Sequence, residues 1–263
     1  AAAVTNLVGP GAACGVVTAH SGRVWTAEGR NIYISDQLKV DTFSPGAKQT
    51  LDGMEWYGKV KALVPLARNF LLVMCERGCY TISGSDPGNQ SGVPNLHIKA
   101  FVDVGCPSTR AIVKIRDEVY FLGVENGVFG LYMTDGGDTI KLSGNLQDDL
   151  DRVTAASASE AVAVQLDSHV LWGLPVDGAA TVGLMILMHR DMRGRPFATW
   201  SFADAPRCFT RDPFDGSVFF GYQATADVGK YDSAIYNDNG VAIDSDIITG
   251  SVGTGPIPSI LRN

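Results

Sequence analysis

The stretch "RDEVYFLGVENGVFGLY", Arg116 to Tyr132, holds two short apolar runs split by Glu125-Asn126-Gly127. Asn-Gly is the dipeptide a tight hairpin turn prefers, because both central residues must reach positive φ. This hairpin recurs, and its recurrence constrains the fold more than any other feature. Aligned on the polar turn ahead of each second strand, five copies read "VVTAHSGRVWTA" from Val16, "ALVPLARNFLLVMC" from Ala62, "AIVKIRDEVYFLG" from Ala111, "VAVQLDSHVLWGL" from Val162 and "RCFTRDPFDGSVFFGY" from Arg207. With Val24, Leu71, Val119, Val170 and Val218 as equivalent anchors, successive copies lie 47, 48, 51 and 48 residues apart by subtraction. Each anchor follows a turn pair at the same offset: Ser21-Gly22, Arg68-Asn69, Arg116-Asp117, Asp167-Ser168 and Asp215-Gly216. An aromatic follows four of them closely, as Trp25, Tyr120, Trp172 and Phe219.

A second turn recurs, with an acidic residue just before a glycine: Glu28-Gly29, Glu76-Arg77-Gly78, Glu125-Asn126-Gly127, Asp177-Gly178 and Asp227-Val228-Gly229. Glycine supplies the left-handed conformation that a sharp reversal needs. Third strands follow at "IYIS", "CYTIS", "VFGLYM", "VGLMILM" and, more weakly, "KYDSAIY". Fourth strands are expected at "LHIKAFV", "TIKLS", "FATWSFA" and "AIDSDIITG".

Three to four strands per unit at this period is the signature of β-propeller blades. One twisted blade cannot bury both faces; blades packed around an axis bury them against one another, and closing the ring protects the edges. Doubly buried strands read as continuous apolar runs, as "FLLVMC" and "VYFLGV" do. The plain alternative is a β-sandwich with evenly spaced strands, against which stand two turns kept in register across five units. The expected fold is therefore all-β, a propeller-like ring of five to six antiparallel blades. Residues 1–14 form an N-terminal segment, 15–250 the propeller and 251–263 a tail. One short amphipathic helix interrupts the pattern after the third blade: "SGNLQDDLDRV" sets Leu146, Leu150 and Val153 at helical spacing, with Ser143 or Asn145 as its cap.

A net charge of −7 makes the chain a poor candidate for gripping phosphates over a broad surface. The longest apolar run, Val182 to Met188, falls far short of a membrane span. The first residues lack a signal-peptide pattern, and there is no initiator Met, so a processed chain or a piece of a longer one is expected. Five cysteines (Cys14, Cys75, Cys79, Cys106, Cys208) are expected as buried free thiols, since Cys75 and Cys79 have no second close pair to complete a zinc site.

Chemistry-bearing clusters have structural explanations. Asp148, Asp149 and Asp151 suggest paired carboxylates of a glycosidase, yet Asp148 and Asp149 fall on the solvent face near a helix N-terminus, where negative charge is favourable. "MHRDMRGRPFATW" gathers His189, Arg190, Asp191, Arg193 and Arg195 into one reversal, suited to a partner-binding loop. His20 and His169 sit at the repeated first turn. No sialidase turn, calcium loop, phosphate loop or nucleophile elbow occurs. No catalytic, cofactor-binding or metal residue is assigned. Arg190, Arg193 and Arg195 are interface candidates, with Asp148 and Asp149 as their charge partners in a neighbouring copy.

Two stretches carry a resemblance. "GRVWTAEGRNIYISDQLKVDTF" (Gly22 to Phe43) has an aromatic strand, a turn and an "IYxSD" strand ending in Asp-x-Phe. "IVKIRDEVYFLGVENGVFGLY…IKLSGNLQDDLD" (Ile112 to Asp151) has a "YFL…NGVF" hairpin leading to a short helix. With Trp172 to Pro175 and Ala198 to Ser201 they resemble the tail nozzle, or packaged-DNA stabilisation, β-propeller proteins of short-tailed bacteriophages, over about Gly22 to Thr249. The resemblance implies a non-catalytic virion protein, made in the host cytoplasm. It implies a ring of copies, commonly six, below portal and adaptor proteins, whose conduit retains packaged DNA and passes it on infection. Double-stranded DNA would pass without specific binding, as suits an acidic wall. Two other readings make different demands. A carbohydrate-binding or carbohydrate-hydrolysing propeller requires carboxylates and aromatics converging on one mouth. A cellular scaffold propeller requires an exposed aromatic face for peptides.

Overall fold

A computed structural model describes residues 14–43, 48–51, 55–66, 70–84, 86, 95–192, 194–200, 206–222, 227–231, 237–238 and 241–242. Blade 1 comprises β1 (Val16–His20), β2 (Arg23–Glu28), β3 (Asn31–Ile34) and β4 (Lys48–Thr50). Blade 2 comprises β5 (Val60–Pro65), β6 (Phe70–Cys75), β7 (Cys79–Ser83) and β8 (His97–Val102). Blade 3 comprises β9 (Ile112–Ile115), β10 (Glu118–Glu125), β11 (Val128–Thr134) and β12 (Thr139–Lys141). After it come a 3₁₀ turn (Gly144–Leu146) and the single α-helix among the described residues, α1 (Gln147–Leu150). Blade 4 comprises β13 (Val162–Leu166), β14 (His169–Pro175), β15 (Val182–His189) and β16 (Phe197–Trp200). Blade 5 shows β17 (Pro206–Arg211), β18 (Val218–Tyr222) and β19 (Val228–Lys230), and a further pair joins β20 (Asn237–Asp238) to β21 (Val241–Ala242). Every sheet is an antiparallel meander in chain order.

The anchors show why the repeat folds this way. Leu71, Val73 and Cys75 pack with Trp25, Ala27 and Ile32 of blade 1, whereas Leu72 and Met74 pack with Val119 and Phe121 of blade 3. Tyr120 and Leu122 meet Val170, Trp172 and Leu174 of blade 4, and Leu171 meets Val218 and Phe220 of blade 5. From blade 2 onward each anchor therefore faces the preceding blade, and on blades 2 to 4 its successor residue faces the next. Strand alternation puts adjacent residues on opposite faces, so a one-residue slip would exchange the two interfaces. The first strands sit innermost: β1 lies against β5, β9 against β13, and β13 against β17. The arrangement is an all-β, propeller-like stack of blades about an axis.

Turn chemistry follows the sequence where it is described. Asn126 and Gly127 have φ of 51° and 83°, the double positive pair that closes Glu125 onto Val128. Ser21-Gly22 and Asp177-Gly178 use the same device. Arg68-Asn69 and the expected fourth strand "AIDSDIITG" lie outside the described residues, apart from Ala242 at the end of β21.

Several expectations need correction. Asp227-Val228-Gly229 is not a turn: Val228 and Gly229 belong to β19, paired with Gly221 and Phe220. Blade 1 has a fourth strand, β4, which lacks apolar residues and so carries no periodic signal. Neither Ser143 nor Asn145 caps the helix. Ser143 Oγ instead accepts the Leu131 N–H at 3.0 Å, tying the connection to β11. Leu150 and Val153 do enter the core between blades 3 and 4. All five cysteines are free, but only Cys75, Cys79 and Cys106 are buried; Cys14 and Cys208 are exposed. Burial pushes the Cys75 and Cys106 thiols up to about 12, which leaves them unreactive. No helix among the described residues is long and apolar enough to cross a membrane.

Candidate functional site at the axial mouth

Antiparallel meanders give the stack two ends. The turns between first and second strands and between third and fourth strands share one end, the first-turn mouth. The second-to-third turns and the blade connections share the other.

At the first-turn mouth the innermost strands converge on an open cavity of about 820 Å³ between β9, β13 and β17. The residue paired with each anchor is Pro65, Lys114, Gln165 and Arg211 on blades 2 to 5. Directly paired residues share a sheet face, so these side chains also lean toward the preceding blade. Lys114 Nζ donates to the Pro65 carbonyl of blade 2. Arg211 Nη1 donates to Gln165 Oε1 of blade 4 at 2.9 Å, and its Nε donates to the Gly216 carbonyl at 3.2 Å. The β17–β18 turn beside them holds itself: Asp212 Oδ1 accepts the Phe214 N–H, and Asp215 accepts both the N–H and the Oγ–H of Ser217, each at 2.8 Å. Those bonds lower the Asp215 pKa and keep it ionised. Phe214 is left 96% exposed at the tip.

The arginine loop lies at the same mouth, between β15 and β16. Arg190 pairs with Asp191 at 2.7 Å and Arg195 with Glu118 of blade 3 at 3.6 Å. Arg195 also sits over the Tyr120 ring at 5.9 Å, and the Tyr120 hydroxyl donates to Glu118. Arg193 lies outside the described residues. Asp148 is exposed and Asp149 half-buried on α1, at the opposite mouth. Three antiparallel strands, β13 to β15, separate the helix from the arginine loop, and an odd number of reversals ends at the other side. The structure thus does not bring Arg190 and Arg195 to Asp148 and Asp149 within one chain. Arg152 takes the cation's place near the helix, 4.0 Å from Asp149 and 2.6 Å from Asp177.

Of the histidines, His20 is buried with its ring 5.8 Å from Trp25. His169 and His189 are direct cross-strand partners with ring centroids 4.4 Å apart. His189 Nδ1 accepts the Met192 N–H at 3.2 Å and so helps shape the arginine loop. Burial first, and the His189 ring second, lower the His169 pKa below its ordinary 6.5, against the opposing pull of Asp167 and Asp191. A histidine with a lowered folded pKa contributes stability that is complete above the unfolded value and is lost as pH falls below it. The thermal midpoint is therefore expected to drop between pH 7.5 and pH 5, and His169→Gln to shrink that drop. An unchanged drop in the variant would assign the acid sensitivity elsewhere.

Among the described residues no group of three His, Cys, Asp or Glu is placed to hold a metal ion. Sequence reasoning missed Lys114, Gln165 and Arg211, although their signal was present as one register position of the repeat.

Fold and mouth together define a β-propeller-like chain with a polar axial opening. No family model matches it, and no curated protein does. Among solved structures it is similar to the nidogen/laminin complex, at 12% identity and a TM-score of 0.46, over 84% of this chain and 74% of that one. It is also similar to the N-terminal domain of Nup159, at 12% identity and a TM-score of 0.32, over 85% and 75%. The fold assignment rests on the strand order and inter-blade packing described above.

Proposed function

We propose that the chain is a non-catalytic structural protein of a short-tailed phage virion, part of the tail nozzle or hub. In this reading about six copies ring the particle axis below portal and adaptor proteins. They retain packaged DNA and let it pass on infection. What supports it is the resemblance of Gly22–Phe43 and Ile112–Asp151, together with one structural observation: the second stretch builds a blade clamped to the next at both mouths. Arg195–Glu118 braces blades 3 and 4 at the first-turn mouth. Arg152–Asp177 and Arg110–Glu160, both at 2.6 Å, brace the other. Exposed, solvent-screened pairs add little to stability, so their use is to fix orientation, which suits a part under load. Electron micrographs of the source particle test the reading. Six copies around a DNA-wide axial channel are expected, and single peripheral copies would overturn it.

A carbohydrate-binding propeller is the second reading, favoured by Phe214 standing beside Asp212 and Asp215 at the axial mouth. Both carboxylates are engaged in shaping their own turn. Retention of a defined glycan by the isolated chain would favour this reading over the first.

A further inference from the structure

We propose that the arginine loop is an acid-released clasp: protonation of the His169–His189 pair breaks the bond that holds the loop's tip and lets Arg195 leave Glu118 of blade 3. The geometry starts from the pair. His169 on β14 and His189 on β15 are direct cross-strand partners with ring centroids 4.4 Å apart, and both are half-buried, so protons reach them. His189 Nδ1 accepts the Met192 N–H at 3.2 Å, and the Met192 carbonyl accepts the Arg195 N–H at 3.0 Å. Arg195 then spans to Glu118 at 3.6 Å and lies over the Tyr120 ring. One ring nitrogen thus begins a chain of contacts that ends on the neighbouring blade.

The clasp is held against strain. Gly194 and Arg195 have φ of 81° and 45°, and the left-handed region is costly for a residue that carries a Cβ, as Arg195 does. An imidazole nitrogen accepts a bond only while it carries no proton. Once protonated, Nδ1 presents a donor to the Met192 donor, and a charged ring stands beside a second imidazole. Imidazole is the side chain that ordinarily titrates between pH 5 and 8. The charges around the pair are mixed. Asp167 and Asp191 favour a proton there, but Asp191 is already paired with Arg190 at 2.7 Å. Leu171 and Leu187 pack toward blade 5, so strand alternation turns both histidines that way. On that blade the facing titratable groups among the described residues are Arg211, held on Gln165 and Gly216, and Tyr231, with Asp212 and Asp215 in the adjoining turn. Blade 3 contributes Glu118 and Tyr120, both engaged with Arg195.

Hydrogen exchange of the full chain tests this, read on residues 189–197 at pH 7.5 and pH 5.5 and corrected for the intrinsic rate at each pH. Loss of one neutral hydrogen bond is expected to speed exchange of the loop by about two- to tenfold at pH 5.5, with Phe70–Cys75 of blade 2 unchanged. In His189→Asn the side-chain oxygen accepts the Met192 N–H without titrating, so exchange is expected to stay slow at both pH values. His189→Leu has no acceptor and is expected to be fast at both. Nuclear Overhauser contacts between Arg195 and the Tyr120 ring are expected at pH 7.5 and lost at pH 5.5. A wild-type loop no more acid-sensitive than Phe70–Cys75 would overturn the proposal. So would an undiminished acid response in His189→Asn, which would place the titrating group at Asp191 or Glu118. Contacts to Tyr120 that persist at pH 5.5 would overturn it too, because the tip would then loosen without releasing Arg195. All of these readouts use the isolated chain, so the tail-nozzle reading stands or falls separately.

Discussion

Gly105→Ala is expected to lower stability by about 3 kcal/mol or more, equivalent to a fall in thermal midpoint of roughly 10 °C. A Cβ at this position would lie 2.0 Å from the Glu76 carbonyl oxygen and 2.5 Å from the Arg77 Cα. Both are backbone atoms of the second turn of blade 2, so no rotamer change relieves the overlap. The segment cannot easily retreat. Gly105 exchanges hydrogen bonds with Val124 of β10 at 2.8 and 2.9 Å, and the Cys106 N–H donates to the Cys75 carbonyl at 2.7 Å. The chain here is threaded between blades 2 and 3 and hydrogen-bonded to both. Gly127→Ala is the control: its φ is +83° and nothing lies within 4 Å of the added Cβ. Only backbone strain of about 1–2 kcal/mol is expected there. Equal losses in the two variants, measured by denaturant titration, would show that the Gly105 overlap relaxes.

Trp25→Ala is expected to cost about 3–5 kcal/mol, because it empties the largest buried side chain between blades 1 and 2. The indole also serves a polar purpose. Its Nε1–H donates to the His20 carbonyl at 3.1 Å, closing the first turn of blade 1 beneath the His20 ring. Trp172 is equally buried between blades 3 and 4, but its Nε1–H has no partner among the described residues. An unpaired buried donor carries a desolvation penalty of about 1–3 kcal/mol. Trp172→Phe removes that penalty while giving up some packing, whereas Trp25→Phe gives up a hydrogen bond that is made, the one to the His20 carbonyl, as well as packing. The expected result is a clearly larger loss for Trp25→Phe than for Trp172→Phe. The reverse order would mean that ring volume, rather than the N–H, decides both sites.

The blades were legible because each solves the same local problem. Turn residues that tolerate positive φ, such as Asn126-Gly127, and doubly apolar second strands, such as Phe70–Cys75, signal themselves within a dozen residues. Local signals failed where a strand was short and polar, as in β4, or where the glycine of an acidic-glycine signal lay inside a strand, as Gly229 does in β19. The helix was legible from Leu150 and Val153, but Ser143 was misread because its oxygen bonds to β11, which is distant in sequence.

What the sequence alone determined is the blade: its period, its two turns, the alternation that sends Leu71 one way and Leu72 the other, and the helix that follows blade 3. What only the tertiary structure decided is which blades' side chains meet. Lys114 and Arg211 come to one cavity because their strands converge on the axis, and nothing near either residue announces the other. Within its own chain Arg195 finds Glu118, and Asp148 and Asp149 lie at the opposite mouth because an odd number of strands separates them from the arginine loop. Local propensity acts over a turn or a strand, whereas these meetings depend on how whole sheets stack.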